Sequence, residues 1–272
     1  MIASTQHAVS ADSPLQVARA APGRAFGVGA CSALLVLGCS DPQGGTDVGN
    51  GAAVSIDLRG YEQTPESSAK SFTLGDGARI DELWMAVDRL RLRPGTNCGT
   101  PDGKIDVPNT LVADLIGSGV LGGAPSFAVE PGPFCRLQIG FHRLAIEDSP
   151  PGAPADLVGL SILMKGSRAD GTPFTVSSRM TEVLTLDGTG GSFELPGGES
   201  SLFLAYELGA WMAALDLGTL GSGPIVVNDA ENTDRLRELE KAVRASASLF
   251  PDQDRDGNLS ASERAPDKKL AE

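Results

Sequence analysis

The chain has 272 residues, a formal net charge of −13 and 41% hydrophobic residues. That acidity argues against nucleic acid and anionic lipid surfaces as electrostatic partners and suits cations and soluble exposure. Only two histidines occur, and His142 alone follows His7, which excludes most catalytic triads and histidine-rich zinc sites.

The first segment is polar and mixed and carries Arg19 and Arg24. It leads into an apolar run over residues 25–38, AFGVGACSALLVLG. A run of this length suits the hydrophobic region of a signal peptide and is short for a membrane span. It ends in Val36-Leu37-Gly38-Cys39, which resembles the lipobox of bacterial lipoproteins. The resemblance implies cleavage before Cys39, lipidation of Cys39 as the new N-terminus, and a lipid-anchored protein of the cell envelope. That family carries three acyl chains, enough for firm membrane attachment. Ser40 stands where an Asp would favour inner-membrane retention, which implies the outer membrane of a Gram-negative host. Val28-Gly29-Ala30-Cys31 is a poorer copy, with too little apolar sequence ahead of it. An uncleaved anchor or an ordinary buried helix is the competing reading. The length of the leader also suggests a start codon downstream of Met1. Residues 39–52 are small, polar and glycine-rich and read as a flexible tether.

Residues 53–227 are long enough for a single domain with its own core. Strand patterns cover residues 53–58, 82–92, 134–144, 157–164, 173–178, 181–186, 192–195 and 201–207. Trp84 is expected as a core anchor. In the clearest strand Cys135, Leu137, Ile139 and Phe141 share one face, and Arg136, Gln138 and His142 the other. Arg168-Ala169-Asp170-Gly171 joins two strands as a hairpin turn. Pro and Gly punctuate the series at PGPF, SPPGAP and LPGGES. About seven short strands with such turns predict a mainly β fold, a β-sandwich. Residues 207–217, ELGAWMAALDL, fit a strand or a short helix. The strand VDRLRL followed by a Pro-Gly step into FCRLQIGF is similar to lipoprotein β-sandwich domains of unknown function. That similarity transfers no site residue.

The chain has four cysteines. If Cys31 leaves with the leader and Cys39 is lipidated, Cys98 and Cys135 remain. In an oxidising compartment they pair as one disulfide; two free buried thiols are the alternative.

Residues 228–272 form the last expected unit. Leu236, Leu239, Val243 and Ala247 recur at helical spacing, which predicts a helix over residues 229–250, capped by Asn228, Asn232 or Thr233. The twelve residues that follow, DQDRDGNLSASE at 252–263, place carboxylates at positions 1, 3 and 5, glycine at 6 and glutamate at 12. Calcium is a hard cation that takes about six to eight oxygens, and this spacing can wrap them round one point. Asp252, Asp254 and Asp256 would converge as the chain curls. Gly257 turns it sharply, Asn258 offers its carbonyl, Ser260 acts directly or through water, and Glu263 closes the shell. Arg255, at a non-ligand position, would only soften the local charge. The loop resembles the EF-hand family from Asn228 onward, which implies Ca2+ as the bound ion and a helix on each side. Pro251 directly before the loop and Pro266 soon after it depart from the family, and no second loop is present. These departures predict a lone, weak hand, with affinity of about 10⁻⁴ to 10⁻³ M as in extracellular modules. The competing reading is a solvated acidic turn.

No G-x-S-x-G, H-E-x-x-H, P-loop or G-x-G-x-x-G motif occurs. The chain therefore reads as a non-enzymatic, exported, lipid-anchored β-sandwich followed by a C-terminal helix and an EF-hand-like calcium loop. The alternatives are a surface adhesin or polysaccharide-binding sandwich with structural calcium, and a hydrolase with an unmarked carboxylate pair. A protein or polysaccharide ligand of the sandwich is left open.

Overall fold

A computed structural model describes residues 51–62, 72–74, 77–99, 103–107 and 110–272. The expected lipobox and residues 39–50 of the expected tether lie outside these residues. The tether's expected end at residue 52 is corrected, because Ala52 already pairs in a strand and is buried. The described chain is mainly β, with 44% in strands and 17% helical.

In chain order the strands are β1 (Ala52–Tyr61), β2 (Phe72–Thr73), β3 (Arg79–Pro94), β4 (Ile105–Val107), β5 (Leu111–Asp114), β6 (Gly119–Val120), β7 (Ser126–Val129) and β8 (Gly132–Phe141). They continue as β9 (Ile162–Ser167), β10 (Pro173–Ser178), β11 (Val183–Asp187), β12 (Phe193–Leu195) and β13 (Glu199–Glu207). After helix α1 (Leu208–Leu215) come β14 (Ile225–Val227), helix α2 (Thr233–Ala245) and β15 (Ala247–Pro251).

A four-stranded sheet has the order β15-β13-β1-β7, with β1 and β13 parallel. An 11-stranded sheet is built along the path β11-β8-β3-β9-β10-β14, with the short strands attached at its margins. Alternation along β1 turns Val54, Ile56 and Leu58 inward, and they share one core with Leu83, Met85, Leu137, Ile139 and Leu204 from both sheets. Cys135, Leu137, Ile139 and Phe141 are buried on β8, on the face their spacing assigned.

Several sequence expectations are corrected. The fold has more strands than about seven: β5, β7, β14 and β15 had no alternation long enough to register. The strand placed at residues 157–164 begins at Ile162, because Ala155–Leu157 forms a 3-10 turn after Pro154. Trp84 is only partly buried and packs on a small satellite cluster. Trp211, on α1, is the fully buried tryptophan, and its indole N–H donates to Ser246 Oγ at 2.7 Å. Residues 207–217 resolve into the end of β13 and α1. Asn232 supplies no side-chain cap to α2; Asn228 Oδ1 instead accepts the N–H groups of Ala230 and Glu231 in the preceding turn.

The correction that matters for function is at the end of α2. The helix stops at Ala245, and residues 247–251 form β15, antiparallel to β13 in the register Leu204↔Leu249. Leu249 and Phe250 are both buried, on opposite faces. A strand covered on both sides is apolar throughout and lacks the alternation that would separate it from a helix. Beyond the loop, Leu270–Glu272 returns to the fold. Leu249 N–H donates to Ala271, Leu270 N–H donates back to Leu249, and Asp187 and Glu272 exchange N–H···O=C bonds. The C-terminal residues thus join β15 of one sheet to β11 of the other.

Candidate metal centre

A strand, and not a helix, delivers the acidic loop. Asp252 N–H donates to the carbonyl of Ser201 at 2.9 Å, which carries the β15–β13 ladder one residue past Pro251. Pro251 is the last residue of an outer strand, where a missing N–H breaks little. The chain then curls. Arg255 (φ 60°) and Gly257 (φ 73°) are left-handed, a conformation that glycine adopts without the steric cost of a Cβ. Asp254 Oδ1 accepts the N–H of Asp256 at 3.2 Å, and Asp256 Oδ1 accepts the N–H of Asn258 at 2.6 Å. Such Asx turns are the local alternative to helix or ladder.

The result brings Asp252, Asp254 and Asp256 together, with one carboxylate oxygen from each lying within 4.8 Å of the others. Asp252 is 7% exposed. Its Oδ2 accepts the N–H of Gly257 at 3.3 Å, while its buried Oδ1 has no hydrogen-bond partner. An unpartnered buried carboxylate oxygen is costly, and such groups in folded proteins ordinarily have a partner or hold an ion.

Glu263 is placed differently. It is 2% exposed and stands outside the tight group. Oε1 accepts the N–H of Gln253 at 2.7 Å, and Oε2 accepts both the N–H and the hydroxyl of Ser260 at 2.8 Å. Glu263 and Ser260 therefore staple the two ends of the loop to each other. Asn258 is exposed, and its side-chain amide donates to the Asp256 carbonyl. After Glu263 the chain makes a turn and the short 3-10 segment Pro266–Lys268. The loop thus has the twelve-residue ligand spacing without flanking helices.

Three arginines grip this loop. Arg59 donates to the Gly257 carbonyl at 3.1 Å, Arg255 to the Glu199 carbonyl at 2.9 Å, and Arg264 to the Glu62 carbonyl. Arg264 also lies over the Tyr61 ring, 5.5 Å from its centroid. Tyr61 in turn packs edge-on against Phe250. All three guanidinium groups spend donors on main-chain oxygens. Among the described residues none forms an ion pair with Asp252, Asp254, Asp256 or Glu263. Arg255 is therefore a tether to β13 rather than a charge softener. Arg59 and Arg264 were not singled out from sequence, because they come from opposite ends of the domain and only the fold joins them.

The electrostatics follow. The N–H of Asp256 bonded to Asp254 pulls the Asp254 carboxyl down. Desolvation and repulsion from Asp256, Glu263 and Asp252 outweigh it and leave the group above the ordinary carboxylate value. Asp256 is held below that value, chiefly by the N–H of Asn258. Close carboxylates without cationic partners are the arrangement a divalent ion relieves. The donors are all oxygen, which suits a hard cation better than a softer one such as zinc or copper.

Cys98 and Cys135 are joined as a disulfide across a sequence separation of 37. Cys39 lies outside the described residues. No helix among the described residues is long and apolar enough to cross a membrane. His142 lies between two acids, with Nδ1 3.9 Å from Asp88 and Nε2 3.9 Å from Asp148. No family model matches the chain, and no curated protein and no solved structure is similar to it.

Proposed function

We propose that this chain is a calcium-binding, non-enzymatic β-sandwich of the cell envelope, held to a membrane through a lipid on Cys39. The observation that carries the calcium reading is the convergence of Asp252, Asp254 and Asp256 without one cationic partner, in a loop whose neighbouring arginines bond main-chain carbonyls and, for Arg59, the Asp57 carboxylate instead. The orphaned Oδ1 of Asp252 supports it independently. In this reading Asp252, Asp254 and Asp256 provide the first ligands, and the Asn258 carbonyl, Ser260 and Glu263 complete the shell. The loop lies between β15 and the C-terminal bridge to β11, so an ion there ties the two sheets more firmly. A structural role of that kind needs only modest affinity, in the range of about 10⁻⁴ to 10⁻³ M typical of extracellular modules.

Native mass spectrometry of the purified chain, in calcium with excess magnesium, tests the reading. One retained calcium per chain is expected, and retention of none rejects it. For the anchor, the intact mass of chain recovered from membranes should show loss of residues 1–38 and gain of acyl groups, and Cys39→Ala should abolish both.

A further inference from the structure

A groove of about 480 Å3 opens beside the acidic loop and shares Asp252, Asp256 and Gly257 with it. Its floor is the outer face of the four-stranded sheet. Ser126 of β7 stands opposite Ser55 of β1, and Ser55 stands beside Ser201 of β13. Asp252, bonded to Ser201 through the main chain, extends the same row. Strand spacing sets these neighbours about 4.8 Å apart. The row therefore presents three hydroxyls at regular intervals, ending at the nine-tenths-buried carboxylate with the unpartnered Oδ1. None of the three hydroxyls has a hydrogen-bond partner among the described residues. A sheet face made of such small side chains leaves room where larger ones would fill it.

We infer that this groove binds a neutral, polyhydroxylated ligand, a saccharide, with one or two of its hydroxyls completing the coordination of the ion at Asp252 and Asp256. The inference rests on the calcium reading and extends it to a ligand. Charge selects the ligand class. The groove contains the carboxylates of Glu199, Asp252 and Asp256 and the guanidinium of Arg255. Asp254 and Glu263 share the same ion, so one divalent ion leaves these five carboxylates and one guanidinium at a net −2. That charge repels an anion, and the ion itself repels a cation that would coordinate it, which leaves a neutral oxygen ligand. Serine hydroxyls both donate and accept, as sugar hydroxyls do, and a calcium ion coordinates oxygen ligands beyond those of the protein. Among the described residues the groove has no aromatic lining to stack a ring, so recognition depends on the ion and the hydroxyl row.

The test is amide NMR of the full chain titrated with methyl α-mannopyranoside and methyl α-glucopyranoside, with and without calcium, and with inorganic phosphate as the anionic comparison. Saturable shifts at Ser55, Ser126 and Ser201 that need a glycoside and calcium together support the inference. Ser126→Leu, at an exposed position on an outer strand, should keep the calcium-induced shifts at residues 252–263 and lose those from the glycoside. Calcium shifts without any glycoside response overturn the saccharide inference and leave the ion site standing. Phosphate shifts in place of glycoside shifts overturn it in favour of an anion. Absence of any calcium response overturns both readings.

Discussion

Replacing Asp252 with Asn should reverse in sign with calcium. Without the ion, the substitution removes charge from a carboxylate that is 7% exposed and has an orphaned oxygen beside two other acids. The amide oxygen can still accept the Gly257 N–H. The exchange replaces an unpartnered charged group by an unpartnered neutral one, which is less costly to bury. The variant should therefore melt no lower than the wild type in EDTA. With calcium the order inverts. At about 10 mM calcium and a dissociation constant of about 10⁻⁴ to 10⁻³ M, linkage stabilises the wild type by roughly 1.4 to 2.7 kcal/mol. For a domain of this size that raises the melting temperature by roughly 3 to 11 °C. Asp252→Asn should gain little or none of it. Differential scanning calorimetry in EDTA, calcium and magnesium reads all the terms. A wild type unmoved by calcium, or a variant that gains as much, refutes the argument. A variant that already melts far below the wild type in EDTA would show that the carboxylate serves only as a structural acceptor.

Other consequences follow from neighbouring contacts. Glu263→Gln should destabilise the chain by roughly 1 to 3 kcal/mol even without calcium, seen in urea unfolding, because an amide cannot accept at both ends of the Gln253–Ser260 staple. Replacing both Cys98 and Cys135 with Ser opens a link of sequence separation 37 and should cost about 4 kcal/mol on the loop-entropy account, seen as a lower melting temperature than the oxidised wild type. Ser246→Ala leaves the buried Trp211 indole N–H without its acceptor and should cost about 1 to 3 kcal/mol in urea unfolding. Asp106 is held below the usual carboxylate range by its bond to Arg91. A lowered folded value contributes stability above the ordinary carboxylate range, lost as pH falls through the folded value. Arg91→Gln should therefore move acid unfolding, followed by circular dichroism, to slightly higher pH; the pair is only partly buried and stays open to solvent screening, so the shift is small.

Where local pattern and tertiary context agree, the sequence announces the structure. Cys135 to Phe141 alternate because one face of β8 is buried and the other half-exposed. Leu236, Leu239 and Val243 recur at helical spacing because one face of α2 packs inward. The ligand spacing of residues 252–263 is local too, and the three aspartates meet as their positions imply. What escaped is what only distant partners decide. Residues 247–251 continue a helical spacing through Ala247, yet β13 offers a ladder whose two faces are both covered, and the chain takes it. The acidic loop thus follows a strand, with Glu263 turned to bind backbone N–H groups. The Arg59 and Arg264 clamps escaped for the same reason, since each joins residues about 200 apart in sequence. The serine row needed the register of β7, β1 and β13, and Ser126 lies on a strand too short to be read.

The central claim is that the acidic loop binds calcium through its three converging aspartates. Isothermal titration of calcium into the wild type and Asp254→Asn tests it most directly. Asp254 is exposed, and an amide oxygen there can still accept the Asp256 N–H, so the variant removes a ligand charge without disturbing the fold. The account predicts a single site with a dissociation constant of about 10⁻⁴ to 10⁻³ M in the wild type, weakened at least roughly tenfold in the variant, a loss of about 1.4 kcal/mol. No heat from the folded wild type, or equal binding by the two proteins, would contradict it.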